Sequence, residues 1–260
     1  MSGVEQLSSL LAKTLDSNPG VRSQAEEGLV ALSTSSPGHV PSLLELIASA
    51  QTAAAIRLAA SIHLKNLIRA RWDADEAQDA GLPVVDESTK ATLRQNLLPL
   101  LLSLSSLANP APLPLRLQLN TSLSLVASHD FPRAWTGLLD DILARLSEPN
   151  PDLGVVQACL STLHEVTKAW RGQFRSDELY EEINYVLEKF APVWWSSIQV
   201  SRWKSLRWKE AVCADSSSFF HPFFCPVLAV YQPSPSEFFD PRSSDASTPY
   251  NPSHAGTPLL

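Results

Sequence analysis

The carboxylate pairs Asp140–Asp141 and Glu181–Glu182 are the arrangement in this sequence closest to the paired acids of general acid–base hydrolysis. Both fall in helical patterns, where adjacent side chains point about 100° apart and cannot jointly flank a substrate. They read as solvated helix faces. The histidines stand at positions 39, 63, 129, 164, 221 and 254, never at metal-ligand spacing with a cysteine or with one another. Cys213, His221 and Cys225 are the nearest grouping, but no C-x-x-C or H-E-x-x-H occurs, so no metal and no cofactor is expected. His63 lies on the apolar side of its helix and reads as a core histidine rather than a base. The chain also has no G-x-S-x-G elbow, Walker loop or G-x-G-x-x-G, and an enzyme is not expected.

The chemistry that remains is binding. In "RLAASIHLKNLIRARW", Arg57 to Trp72, the residues Arg57, Ser61, Lys65 and Arg69 recur every four positions, which stacks them in one slanting stripe on a helix. Ile56, Ala60, Leu64 and Leu67 lie roughly opposite. Such a stripe is either a solvated face or a surface that meets an acidic partner. A second basic-aromatic patch combines Trp203 and Trp208 with Arg202, Lys204, Arg207 and Lys209. It has the composition that touches membrane surfaces or RNA, and no function is assigned to it.

The elements that must position these residues are helices. "VEQLSSLLAKTL" puts Leu7, Leu10, Leu11 and Leu15 on one face. Pro19 suits the first turn of "VRSQAEEGLVAL". "PGHVPSLLELIASA" leads into the striped helix. A polar link, "DADEAQDAGLPVV", precedes "ESTKATLRQNLLPLLLSLSSL", and "LRLQLNTSLSLVAS" follows. Asp130 reads as the N-cap of "HDFPRAWTGLLDDILARL", with Pro132 in its first turn. "DLGVVQACLSTLHEVTKAW" and "SDELYEEINYVLEKFAPVWW" complete the series, the latter with Ser176 as N-cap. Trp135 and Trp170 are expected to pack between repeats. Nine helices in about 195 residues, paired at roughly 35–45 residues, predict an all-α fold. The architecture is a right-handed α-solenoid of antiparallel helix pairs of the HEAT type with an irregular C-terminal tail. The striped helix is then the second inner helix.

Totals narrow the partners. With 20 Lys+Arg against 27 Asp+Glu the chain carries −7, which argues against sequence-independent nucleic-acid binding. Three scattered cysteines predict a reducing compartment. The first 30 residues hold no apolar signal segment, and the densest apolar run, "LLPLLLSLSSLA", is broken by Pro99 and serines, so no membrane span is expected.

"VRSQAEEGL" after "TLDSNP", then "IRLAASIHLKNLIRARW" and "HDFPRAWTGLLDDI", together resemble the importin-β N-terminal domain that opens nuclear transport receptors. The matching positions are Leu15, Asp16, Pro19, Arg22, Ala25, Glu26 and Leu29, then Ala60, Leu64, Lys65, Asn66 and Trp72, then Asp130, Phe131, Pro132 and Trp135. "HEVTKAWRGQFRSDELYEEINYVLEKFA" is similar to the exportin type that returns importin-α to the cytoplasm. The resemblance spans about residues 4–193 and implies a stack of about four and a half HEAT hairpins over residues 1–195. It implies binding of the Ran GTPase in its GTP form, with Arg57, Ser61, Lys65 and Arg69 as candidate contacts. Importin-α follows as cargo of the full-length receptor and nucleoporins as further partners. The location implied is nucleus, cytoplasm and the nuclear pore. Asn66 reads as a hydrogen-bond donor between repeats. The alternative is a generic HEAT scaffold without GTPase preference.

Residues 196–260 carry no such resemblance. Eight of the 20 prolines and six of the nine phenylalanines lie there, which fits neither a regular fold nor an ordinary disordered tail. This segment reads either as foreign to the receptor or as a genuine tail with short aromatic anchors. Full-length receptors of the family continue for many more repeats, whereas this chain is expected to stop inside its fifth hairpin.

Overall fold

The structure, a computed structural model, describes residues 3–199. The chain divides into two units, Met1–Val200 and Ser201–Leu260. Residues 200–260, with the basic-aromatic patch, lie outside the described residues, while 196–199 complete the last helix.

The described unit is a run of helices. They are α1 (Gly3–Lys13), α2 (Pro19–Ser35), α3 (His39–Ala48), α4 (Ala54–Arg71), α5 (Ala74–Ala80), α6 (Glu87–Ser105), α7 (Leu113–Asp130), α8 (Gly137–Leu146), α9 (Leu153–Ala169) and α10 (Asp177–Gln199), with a 3-10 turn at Trp170–Gly172 between the last two. Pairing follows chain order: α1 packs on α2, α3 on α4, α6 on α7 and α8 on α9. Successive pairs stack through two rows, α1 on α3 and α3 on α6 in one, α4 on α7 and α7 on α9 in the other. No described residue is in a strand. The expectation of a helical-hairpin solenoid holds.

Polar side chains start half of these helices. The Asn18 carboxamide oxygen accepts from the Gly20 N–H at 2.9 Å, with Pro19 at the first helical position as its fixed φ favours. Asp86 accepts from the Thr89 N–H at 2.9 Å and Asp152 from the Gly154 N–H at 2.8 Å. Ser176 accepts from the Leu179 N–H at 3.2 Å, the cap that its position predicts. The core between the rows is mostly leucine: Leu7, Leu11, Leu43, Leu64, Leu93, Leu97, Leu119 and Leu123 are at most 1% exposed. Each fully buried leucine contributes on the order of 1.5–3 kcal/mol, which lets hairpins that are individually unstable hold one another.

Three expectations need correction. α1 ends at Lys13, so Leu15 does not join its apolar face and is 54% exposed. The polar link holds a helix, α5, capped by Asp73 and closed by Gly81 in the left-handed region at φ 65°. That raises the count to ten α-helices among the described residues. Asp130 is not an N-cap: it is the last residue of α7, and α8 begins at Gly137. Pro132, joined to Phe131 by a cis peptide, lies in the turn between them.

Candidate functional site

The slanting stripe on α4 does not stay on one face. Each step of four residues advances about 40° beyond a full turn, so three steps rotate the stripe by about 120°. It begins inside the fold and ends in solvent. Arg57 is buried, and its Nε donates to the Ile47 carbonyl at 2.9 Å, satisfying one of the free carbonyls at the end of α3. Ser61 is fully buried and donates to the Leu58 carbonyl at 2.7 Å. Lys65 is half-buried, its ammonium donating to Oε1 of Gln118 on α7 at 2.8 Å. Arg69 is exposed.

The open strip of α4 is Ile62, Asn66 and Arg69, at spacings of four and three that cancel the drift. Among the described residues Asn66 makes no side-chain hydrogen bond, so the donor role read for it between repeats is not seen here. Lys65 and Arg69 have no carboxylate partner among the described residues, unlike Lys168, which pairs with Glu165, and Lys189, which pairs with Asp140. On the helices stacked in the same row, Leu117 of α7 is 50% exposed and Leu153 of α9 is 39% exposed. α7 is tied to α9 through Asn120, which donates to Ser161 Oγ at 3.1 Å and accepts from Thr162 Oγ1 at 2.8 Å. The sequence pattern alone did not single out Ile62, Leu117 or Leu153. Exposed apolar residues at the drift-corrected spacing were the available signal.

The family-motif residues form a frame behind this strip. Arg22 donates to the carbonyls of Asp16 and Ser17 at 2.8 and 3.0 Å, stapling the α1–α2 turn, while Glu26 stays exposed. The buried Trp72 indole donates to Asp130 Oδ1 at 3.1 Å, and Arg94 of α6 donates to Asp130 Oδ2 at 2.8 Å and also pairs with Glu87. Lys90 Nζ sits 5.2 Å from the Trp72 ring centroid. Phe131 packs beside Tyr185 of α10, and the Trp135 N–H closes on the Asp130 carbonyl at 2.9 Å. At the end of α4, Arg71 donates to the carbonyls of Pro83, ahead of α6, at 2.7 Å and of Ser33 on α2 at 3.1 Å.

Nucleophilic and acid–base chemistry has little to build on here. Burial pushes the Cys159 thiol up to about 12, which leaves it protonated at neutral pH. Asp140 is engaged by Lys189 at 2.6 Å. Among the described residues no group of three or more His, Cys, Asp or Glu side chains could hold a metal ion. No helix of the described residues is long and apolar enough to cross a membrane. What the strip offers is uncompensated positive charge beside exposed aliphatic carbon, on a row of packed helices. Such a combination of charge and exposed aliphatic carbon is chemically suited to an acidic partner with an apolar centre.

The family model "Importin-beta N-terminal domain" matches residues 25–103, from within α2 to within α6. Over 187 residues, 72% of this chain, the sequence is 33% identical to the importin-alpha re-exporter of Schizosaccharomyces pombe. It is 32% identical over 191 residues to exportin-2 of Drosophila melanogaster. In both comparisons the chain spans 18% of the relative's length. Among solved structures, the exportin Cse1 in its cargo-free, cytoplasmic state superposes with a TM-score of 0.64 at 29% identity, over 76% of this chain and 20% of that one. Importin beta gives 0.51 at 24% identity, a likeness of fold.

Proposed function

We propose, from the premise that the chain carries an importin-β N-terminal domain and resembles the importin-α re-exporters, that it binds the Ran GTPase in its GTP form in nucleocytoplasmic protein transport. The relatives are exportins of that family, which supports a role in nuclear transport rather than catalysis. The observation that carries the finer reading is the pair Lys65 and Arg69. Both are cations without a carboxylate partner among the described residues; Arg69 lies on the open strip of α4, and Lys65 flanks it, bonded to Gln118 of α7.

We assign residues 1–195 to the receptor module and 196–260 to a segment outside it. Importin-α is the cargo of this receptor type, taken from the relatives' name, and the location follows as nucleus and cytoplasm. The nuclear pore and contact with nucleoporins rest on the family resemblance alone.

A scaffold without GTPase preference has one observation in its favour: half of the proposed contact stripe is buried, Arg57 tying α4 to α3 and Ser61 bonded within its own helix. Binding of the full chain to Ran loaded with a non-hydrolysable GTP analogue, against Ran loaded with GDP, separates the two. Preference for the GTP form is the expected result. Equal binding to both, or none, leaves the scaffold.

A further inference from the structure

We propose that His39 and His63 form a proton-sensitive latch on the second hairpin, closing α3 on α4 while both rings are neutral and opening it when both are protonated. Their Nε2 atoms stand 3.0 Å apart, with the rings edge to face and their centroids 5.2 Å apart. One hydrogen between two nitrogens makes this bond, so one Nε2 must carry it and the other must be bare.

Two features make the pair intolerant of charge. His39 is 3% exposed, and its Nδ1 is buried with no hydrogen-bond partner among the described residues, so a proton placed there finds no acceptor. The elements packed on α3 are α1, α2, α4 and α6. From these, the His63 ring and the Arg71 guanidinium, both on α4, act on His39, and both oppose a positive charge. No carboxylate among the described residues acts on either ring. Burial is the largest cause, and it lowers both rings to about 4.

A first proton can still be shared as N–H⁺···N between the rings. A second puts hydrogen on both Nε2 atoms, and the bond is lost to repulsion. The sign is fixed: folded-state values below the ordinary 6.5 mean the closed form is fully favoured above that pH and weakens as pH falls toward 4. The other tie of the hairpin, Arg57 on the Ile47 carbonyl, sits at the opposite end of α3, so opening is confined to the His39 end.

The test is a histidine C2–H NMR titration of the full chain from pH 8 to 4, with amide hydrogen exchange followed in parallel. Signals are assigned by single His→Gln variants. Both rings are expected to stay neutral through pH 6, and protection of the first turns of α3 is expected to fall by about tenfold or more per ring between pH 7 and 5 while α6 and α7 amides hold. The double variant His39→Phe with His63→Leu removes that pH dependence. Should it fail to fold, His63→Gln is measured in its place, with the same expectation of a flattened profile. Titration of either ring near 6.5, α3 protection that ignores pH, or an unchanged profile in the variant that folds overturns the latch.

Discussion

The Trp72 indole N–H donates to the Asp130 carboxylate across 58 residues of sequence, at 3.1 Å and out of solvent. The bond joins the end of α4 to the end of α7, so two sequence motifs that look independent form one structural clamp. Arg94 completes it from α6. The stack that carries the candidate site is held in register from behind by this clamp.

Replacing Trp72 by Phe keeps most of the ring but leaves Asp130 Oδ1 without its buried donor, which costs on the order of 1–3 kcal/mol. Asp130→Ala removes the acceptor of both Trp72 and Arg94 and costs about 3 kcal/mol or more. Urea unfolding of the full chain measures both. A loss below about 0.5 kcal/mol for Asp130→Ala would mean that the clamp is not holding the stack.

Gly154 sits where α9 comes close to the end of α6. A Cβ there would overlap the Ser105 carbonyl oxygen at the end of α6, where Asp152 also accepts from the Leu107 N–H and the Ser106 hydroxyl. Gly154→Ala is expected to lower the melting temperature sharply or abolish folding. Gly137→Ala, where a Cβ meets nothing within 4 Å, is expected to be neutral or to stabilise by about 0.4–1 kcal/mol. Similar melting of the two variants would contradict the close approach.

Hydrogen bonds from the Ser88 and Thr89 hydroxyls, with the Thr89 N–H, bring the Asp86 carboxyl down from 3.8 to about 2. A lowered folded-state value means the stabilisation is complete above pH 3.8 and is lost as pH falls through 2. Asp86→Asn keeps a capping oxygen but cannot titrate. Its stability is therefore expected to fall less steeply than that of the parent between pH 4 and 2, as followed by thermal melting, whereas Asp86→Ala costs about 1 kcal/mol at neutral pH. Parallel acid profiles for Asp86→Asn and the parent would show that the carboxylate is not held by these bonds.

The hairpins were legible because a 3.6-residue apolar period and polar caps such as Asn18, Asp86, Asp152 and Ser176 agree locally. α5 was not, because a seven-residue acidic helix buries a single side chain, Ala77, and leaves no apolar period to read. Asp130 followed by Phe131–Pro132 has the local look of a helix start. Its partners Trp72 and Arg94 lie 58 and 36 residues away, beyond the reach of local pattern. The candidate stripe was legible as four residues on one helix and wrong as a continuous face, because strict four-residue spacing winds around the cylinder.

Arg57 and Arg69, equivalent in the stripe, are expected to behave oppositely. Arg57→Ala leaves the Ile47 carbonyl unsatisfied in a buried place and costs about 1–3 kcal/mol, while Arg69→Ala changes stability by less than about 0.5 kcal/mol. Equal losses in urea unfolding would place both residues on the same face after all.

The most direct measurement is the affinity of the full chain for GTP-loaded Ran with and without the double reversal Lys65→Glu and Arg69→Glu, alongside helicity and melting of both forms. The account predicts at least about tenfold weaker binding, roughly 1.4 kcal/mol, from a protein that is equally helical and melts within a few degrees of the parent. Undiminished binding by an equally well-folded variant would contradict it and leave the open face of α4 a solvated surface.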